Sequence, residues 1–331
     1  MTIGFGIVGA GRMGQVHTGN VRMRTDATVR AVFDERREAA ERLSGDAAVM
    51  RSVEELVSRK DVDVVVVATP AETHAAVVDM AIEAGKAILC EKPFERDLVA
   101  ARQSAERVRK KSIACMLAFN RRFDASFSAL HRQLQQGEIG APELVFLTSR
   151  DPAVPPLDYV ARSGGLFRDM MVHDFDVARW LVGEEFEEVY ATGACYAEPE
   201  IAALGFVDTA LVVLKSVSGV TVTINNAMRA TYGYDQRVEV HCAAGKLELG
   251  NRFDTSVSRA DGDGIRREPP QGFFIERYRE AYVAELAYFI QCLVKGELPA
   301  PGADDGVQAL RLGEAAQESY ETGLPVKVSR I

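Results

Sequence analysis

One short stretch constrains this chain more than any other: Gly9-Ala10-Gly11-Arg12-Met13-Gly14. It follows Ile3–Val8, which alternates and then runs apolar as a buried strand does, and it opens a helix. A G-x-G-x-x-G turn in that setting implies a dinucleotide site. Gly9 permits the tight turn, Gly11 lets a diphosphate approach the backbone, and Gly14 lets helix and strand pack closely. The N–H groups that open the helix then meet the phosphates. A second strand, Thr28–Phe33, ends in Asp34, where an acid can accept both ribose hydroxyls of NAD. Arg36 and Arg37 follow and keep NADP open, though they also suit a solvated first helical turn. Asp34 would repel a 2′-phosphate, so NAD is the expected cofactor.

Strand and helix go on alternating. Val62–Ala68 is a continuous apolar run, the mark of a parallel strand covered on both faces. Thr69-Pro70-Ala71-Glu72-Thr73-His74 then forms a loop at the strand's C-terminal edge, where open α/β sheets bind ligands. Ala68, Thr69 and Pro70 are expected at the cofactor; His74 either touches it or packs the helix that starts there. The strand Ala87–Cys90 ends in Glu91-Lys92-Pro93, and Glu91 and Lys92 are expected at the cofactor. A lysine there can donate to a substrate oxygen and stabilise an alkoxide as hydride leaves. Leu98–Lys110 reads as a helix and Ile113–Leu117 as the sixth strand of a doubly wound domain that ends near Phe119.

A length of 331 residues exceeds one ordinary core, so two domains are expected, divided at 1–119 and 120–331. The formal net charge of −9 argues against a nucleic-acid partner. No apolar run approaches the roughly 20 residues of a membrane helix. The first residues go straight into strand without a basic leader. Cys90, Cys115, Cys195, Cys242 and Cys292 are scattered, as buried thiols in a reducing cytoplasm would be. The histidines never cluster, and no metal-ligand spacing is present.

The second half opens with Asn120-Arg121-Arg122, donors that suit a polyol or, equally, a helix-start surface patch. A helix Phe123–Gln136 and a strand Pro142–Arg150 follow. The proline-containing stretch Asp151–Ser163 reads as a loop able to cover a substrate. Gly164–Gly183 reads as one helix closed by a left-handed glycine. Asp169, His173 and Asp176 would share one stripe of it, with Phe167, Met171, Phe175, Ala178 and Val182 toward the core. A carboxylate one turn before a histidine can fix its tautomer and raise its basicity, as a general base needs. The plainer alternative is a solvated polar face. Short alternating segments then follow without helices, a mostly antiparallel open sheet with one face on the central helix. Tyr232 or Tyr234 is expected to reach the substrate. Glu276–Lys295 and Val307–Ser319 read as helices, with Tyr282 in the core, and Pro325–Ser329 as a closing strand.

The order of Gly9–Gly14, Ala68-Thr69-Pro70 with His74, Glu91-Lys92-Pro93 and Asp169-x-x-x-His173-Asp174 resembles the Gfo/Idh/MocA family of NAD(P)-dependent oxidoreductases over essentially the whole chain. Within it, Ala118–Asp124, Tyr232–Arg237 and Glu276–Tyr282 look most like the inositol dehydrogenases. The resemblance implies an N-terminal Rossmann sheet, a C-terminal α+β domain and a homo-oligomer, dimer or tetramer. It implies oxidation of a ring hydroxyl of myo-inositol, with an aldose or another inositol isomer as the alternative. Lys92, Asp169 and His173 would be catalytic; Asn120, Arg121 and Tyr232 would join them at the substrate. An unperturbed histidine titrates near ~6.5, so the rate would rise with pH through neutrality unless Lys92, which lowers that value, or Asp169, which raises it, moves it. A nicotinamide-sensing protein without turnover is the alternative of another class.

Overall fold

The computed structural model describes residues 2–328, and the chain forms two compact units. The first holds the residues up to Phe123 together with Ala281–Leu310; the second holds Asp124–Glu280 and the residues from Arg311 onward.

In the first unit, β1 (Ile3–Val8), β2 (Ala27–Phe33), β3 (Ala48–Val49), β4 (Val64–Val67), β5 (Ala87–Cys90) and β6 (Cys115–Leu117) form one sheet. All pairs are parallel, in the order β3-β2-β1-β4-β5-β6. The order reverses between β1 and β4, which opens a crevice at their C-terminal ends. β4 is four valines, all fully buried, because helices cover both faces. One face packs Phe5, Ile7, Val64, Val66 and Leu89 against Val21 of the Arg12–Arg22 helix and Leu286, Phe289 and Ile290 of the Arg279–Lys295 helix. The expected cut at 119/120 therefore fails for Ala281–Leu310: its apolar stripe covers the first sheet, so it belongs with that core.

In the second unit, β7 (Pro142–Arg150), β8 (Phe186–Ala194), β9 (Thr209–Ser216), β10 (Thr221–Ala227), β11 (Asp235–Cys242) and β12 (Gly245–Leu249) join a short β15 (Val326–Lys327). A separate exposed hairpin, β13 (Ser258–Asp261) and β14 (Gly264–Arg267), lies between them in sequence. The large sheet runs β12-β11-β7-β10-β9-β8-β15, antiparallel except for β7 and β10. Its inner face buries Val145, Val212, Leu214, Val222, Ile224 and Val240. Its outer face leaves Leu144, Phe146, Tyr190 and Leu211 exposed. Ser329, expected in the closing strand, lies outside the described residues.

Two further expectations need correction. Asp151–Ser163 is not all loop: Leu157–Ser163 is helical and stops at Gly164, where φ is +91°. Glu276–Lys295 is two helices, Phe274–Arg277 and Arg279–Lys295. Among the described residues no helix is long and apolar enough to cross a membrane, and the five cysteines are free thiols.

Asp124 is a structural hinge-pin of the second unit. Its Oδ1 caps the Ala125–Gln136 helix by accepting from the Ser126 and Phe127 N–H groups. Arg277, 3% exposed, donates to the same carboxylate from two nitrogens. Asp124→Ala strips the cap and leaves a buried guanidinium without its partner. A loss of about 3–5 kcal/mol is expected, read as a lower urea midpoint at unchanged slope. Asp124→Asn keeps the cap oxygen and should lose less.

Candidate active site

At the end of β1 the chain turns at Gly9, with φ +101°. A Cβ there would lie 2.4 Å from the Ala68 carbonyl oxygen, and one at Gly14 only 1.9 Å from the Gly9 carbonyl oxygen. Both positions exclude any side chain. Gly11 differs, because nothing lies within 4 Å of its Cβ position. It is the N-cap of the Arg12–Arg22 helix, which begins Arg12-Met13 with no side-chain cap and no acid in its first turn. Open backbone at an uncapped helix start fits a diphosphate. Asp34 Oδ2 accepts from Ala10 N–H at 2.7 Å, and Oδ1 accepts from Arg36 N–H at 2.9 Å. The carboxylate thus pins the glycine turn to the end of β2 and keeps lone pairs for ribose hydroxyls. Arg36 is mostly exposed, its Nε 3.7 Å from Asp34, and Arg37 pairs with Glu41 one turn on.

Ala68, Thr69 and Pro70 leave β4 beside this turn. His74, 1% exposed, sets Nδ1 2.8 Å from the Pro93 carbonyl and Nε2 2.9 Å from the Thr69 carbonyl. The ring braces the loop after β4 against the loop after β5. Glu95 adds a second tie by accepting from Ala75 N–H at 3.1 Å. Lys92 lies within that braced loop, partly exposed, and its bond to Pro93 is cis. Glu91 turns inward: 7% exposed, its Oε1 lies 2.8 Å from His17 Nε2. Its carboxyl ties the lysine loop to the glycine-turn helix, a contact that no sequence pattern announced. The neighbouring Cys90 thiol is buried, and burial pushes it well up, so it is inert. Asn120 and Arg121, 2% and 4% exposed, form one turn just past β6, too enclosed for a surface patch. Parallel strands thus bring Gly9–Gly14, Asp34, Ala68–Pro70, Lys92 and Asn120 to one edge of one sheet.

In the second unit, Gly164–Gly183 is not a single regular helix. Leu166–Met170 makes a wider π-type turn, closed by Met171 N–H to the Leu166 carbonyl at 2.9 Å. The α-helix proper is Val172–Val182, ended by Gly183 at φ +76° as expected. The stripe proposed for Asp169, His173 and Asp176 does not hold together. Asp169 and His173 stay partly exposed, whereas Asp176 is 1% exposed. Asp174, also buried, accepts from Asn226 Nδ2 at 2.7 Å and so fastens the helix start to β10. π turns of this kind recur at functional sites.

Tyr232 is held on two sides. Its hydroxyl donates to Asp235 Oδ2 at 2.6 Å and accepts from Arg150 Nη1 at 2.9 Å. Burial works to raise the Asp235 carboxyl, but hydrogen bonds from Arg237, Tyr232 and Asn251 outweigh it and hold the group below the usual range. Arg150 also lines a cavity of about 330 Å³ with Thr209, Asn225 and Arg229. Tyr234 is a core residue, edge-on to Phe273 and Tyr278. His17, Asn226 and Arg150 escaped sequence reasoning; the one faint signal was polar residues on otherwise apolar faces. Among the described residues no cluster of His, Cys, Asp or Glu could hold a metal ion.

Residues 3–119 match the oxidoreductase family with an NAD-binding Rossmann fold, and residues 127–248 match the GFO/IDH/MocA C-terminal domain. Inositol 2-dehydrogenase of Rhizobium meliloti is 44% identical over 96% of this chain and 97% of its own. Myo-inositol 2-dehydrogenase of Thermotoga maritima is 42% identical over 98% of each. The crystal structure of scyllo-inositol dehydrogenase from Lactobacillus casei, with bound NAD(H) and scyllo-inositol, superposes with a TM-score of 0.93 over the full length of both chains, at 28% identity. With the glycine turn, Asp34 and the parallel sheet in place, the chain belongs to the Gfo/Idh/MocA family of oxidoreductases, and its first unit is an NAD-binding Rossmann domain.

Proposed function

We propose that the protein is an NAD-dependent inositol dehydrogenase that oxidises a secondary ring hydroxyl of myo-inositol to 2-keto-myo-inositol. What supports this most is the 44% identity to an inositol 2-dehydrogenase across nearly all of both chains. The nearer relatives act on the 2-position of inositol by name, and the scyllo-inositol enzyme shares the fold at lower identity. NAD, when bound, supplies the hydride acceptor. His173 takes the hydroxyl proton. Lys92 donates to the same oxygen and steadies its developing charge. Asp169 orients these groups, and Asn120, Arg121 and Tyr232 hold the remaining hydroxyls. A positioned base contributes about 10²–10⁴-fold, and alignment of the reactants adds to it.

The second unit, in this reading, binds substrate and joins copies of the chain into a dimer or tetramer. Across its outer face Phe146, Thr223, Val213 and Tyr190 stand in one register row over β7, β10, β9 and β8. Phe146 and Tyr190 are 44% and 39% exposed, a broad apolar face for a single chain to leave wet. The free thiols suit a reducing cytoplasm.

The reading stands or falls on four variants. With myo-inositol and NAD, NADH absorbance should show His173→Ala and Lys92→Ala losing at least about 10²-fold in kcat while NAD affinity holds. An unchanged kcat removes that residue from the chemistry. The wild-type rate should climb with pH through neutrality, since the base acts when deprotonated. Asp34→Ala should weaken NAD more than NADP in a binding titration; equal losses would mean that the ribose is held elsewhere. Phe146→Glu should yield smaller assemblies by analytical ultracentrifugation, and an unaltered mass would free the outer face from that role.

A further inference from the structure

One buried polar cluster in the first unit has no part in the chemistry so far. Glu91 precedes Lys92, and its carboxyl meets His17 Nε2 at 2.8 Å. With Glu91 as acceptor, the ring donates from Nε2, and in the neutral imidazole Nδ1 then carries a lone pair. That Nδ1 is buried and meets no protein partner. Glu285, on the Arg279–Lys295 helix, is fully buried, and neither of its carboxyl oxygens meets a protein partner. Tyr282 lies three residues earlier on the same helix, hence on the same face. Its ring stands edge-on to His17, centroids 6.2 Å apart. The two helices also share one apolar core through Val21, Leu286 and Phe289. Burial pushes the Glu285 carboxyl well up, and the nearby Glu91 charge adds to the effect, so both favour the neutral acid. A neutral acid has an O–H to give, and His17 Nδ1 has a lone pair with no donor. Two complementary orphans in one polar, enclosed place are what an internal water bridges.

We propose that Glu285, His17 and Glu91 form one hydrogen-bonded chain, closed between Glu285 and His17 Nδ1 by an internal water, and that it positions Lys92 from behind. The proposal rests on the catalytic reading of Lys92. His17 and Glu285 are positioning residues: they fix the Glu91 side chain to the helix that starts at the glycine turn, and Glu91 fixes the lysine's backbone. A misplacement of 1 Å can cost about 10²-fold in rate.

The test pairs Glu285→Leu with Glu285→Gln. Leucine replaces a buried acid whose one bond is to the internal water with an apolar group of similar size, so Tm should change little and NAD affinity should stay the same. Yet kcat should fall about 10- to 100-fold, because the chain is cut. Glutamine both donates and accepts, as the neutral acid does, and should restore kcat to near wild type. Wild-type kcat in the leucine variant, or equal losses in both, would overturn the proposal. The ¹⁵N spectrum of the His17 ring in the wild-type protein reads the chain without activity. A proton on Nε2 with a hydrogen-bonded, bare Nδ1 is expected; a proton on Nδ1 with bare Nε2 overturns it even if the leucine variant does not fold. If Lys92→Ala keeps its activity, the catalytic reading fails, while the ring spectrum still judges the chain by itself.

Discussion

A single close approach governs the first unit: the backbone of Gly9 passes so near the Ala68 carbonyl that a Cβ would sit 2.4 Å from its oxygen. That contact lets β1 and β4 run side by side to their ends, where the sheet order reverses. The next contact depends on it. Gly14 rests on the Gly9 carbonyl, so the helix starts directly over the turn and its first N–H groups face outward from the sheet edge. Asp34 then takes the Ala10 N–H and locks β2 to the same point. A diphosphate site made of backbone needs this stiffness, since backbone donors cannot adjust as a side chain can.

The loops beside that turn are stiffened by buried polar groups rather than by more apolar surface. Each buried polar atom costs free energy unless it is paired, so its partners specify geometry as well as stabilise it. His74 spans two loops through two carbonyls, and Glu91 reaches back to His17. Lys92 sits between these ties with its own side chain partly exposed. The second unit follows the same rule at Asp174 and Asn226, and again at Asp235, whose carboxyl serves Tyr232, Arg237 and Asn251. Its reactive candidates, Asp169 and His173, are likewise the partly exposed members of a largely buried segment.

Much of this was legible in the sequence because it rests on local rules. A glycine triplet after a strand, an acid at the end of the next strand and a valine run each carry their meaning within a few residues. β3 was not located, since two residues, Ala48 and Val49, show no period. The Arg279–Lys295 helix was recognised as amphipathic, but amphipathicity does not say which sheet the apolar stripe will cover, and it covered the first. A regular 3.6-residue period through Gly164–Gly183 puts Asp176 on the polar stripe. The wider turn at Leu166–Met170 leaves no compositional mark, and in the regular helix after it Asp176 is buried while His173 stays partly exposed.

The same logic separates what can be read about the reaction from what cannot. Under the proposed function, Lys92, Asp169 and His173 would serve any secondary alcohol presented beside a nicotinamide, so they bear on the reaction class alone. Choosing one inositol isomer is a matter of hydroxyl orientation, and a site built to bond each hydroxyl rejects the wrong one by leaving a buried donor or acceptor unpaired. Under the proposed function, enclosed polar side chains would therefore set the isomer. In the first unit Asn120 and Arg121 have that enclosure at the same sheet edge as Lys92. Tyr232 has less freedom, because its hydroxyl already bridges Arg150 and Asp235. In the proposed function, an amide and a guanidinium held by burial are the first unit's candidates for that discrimination.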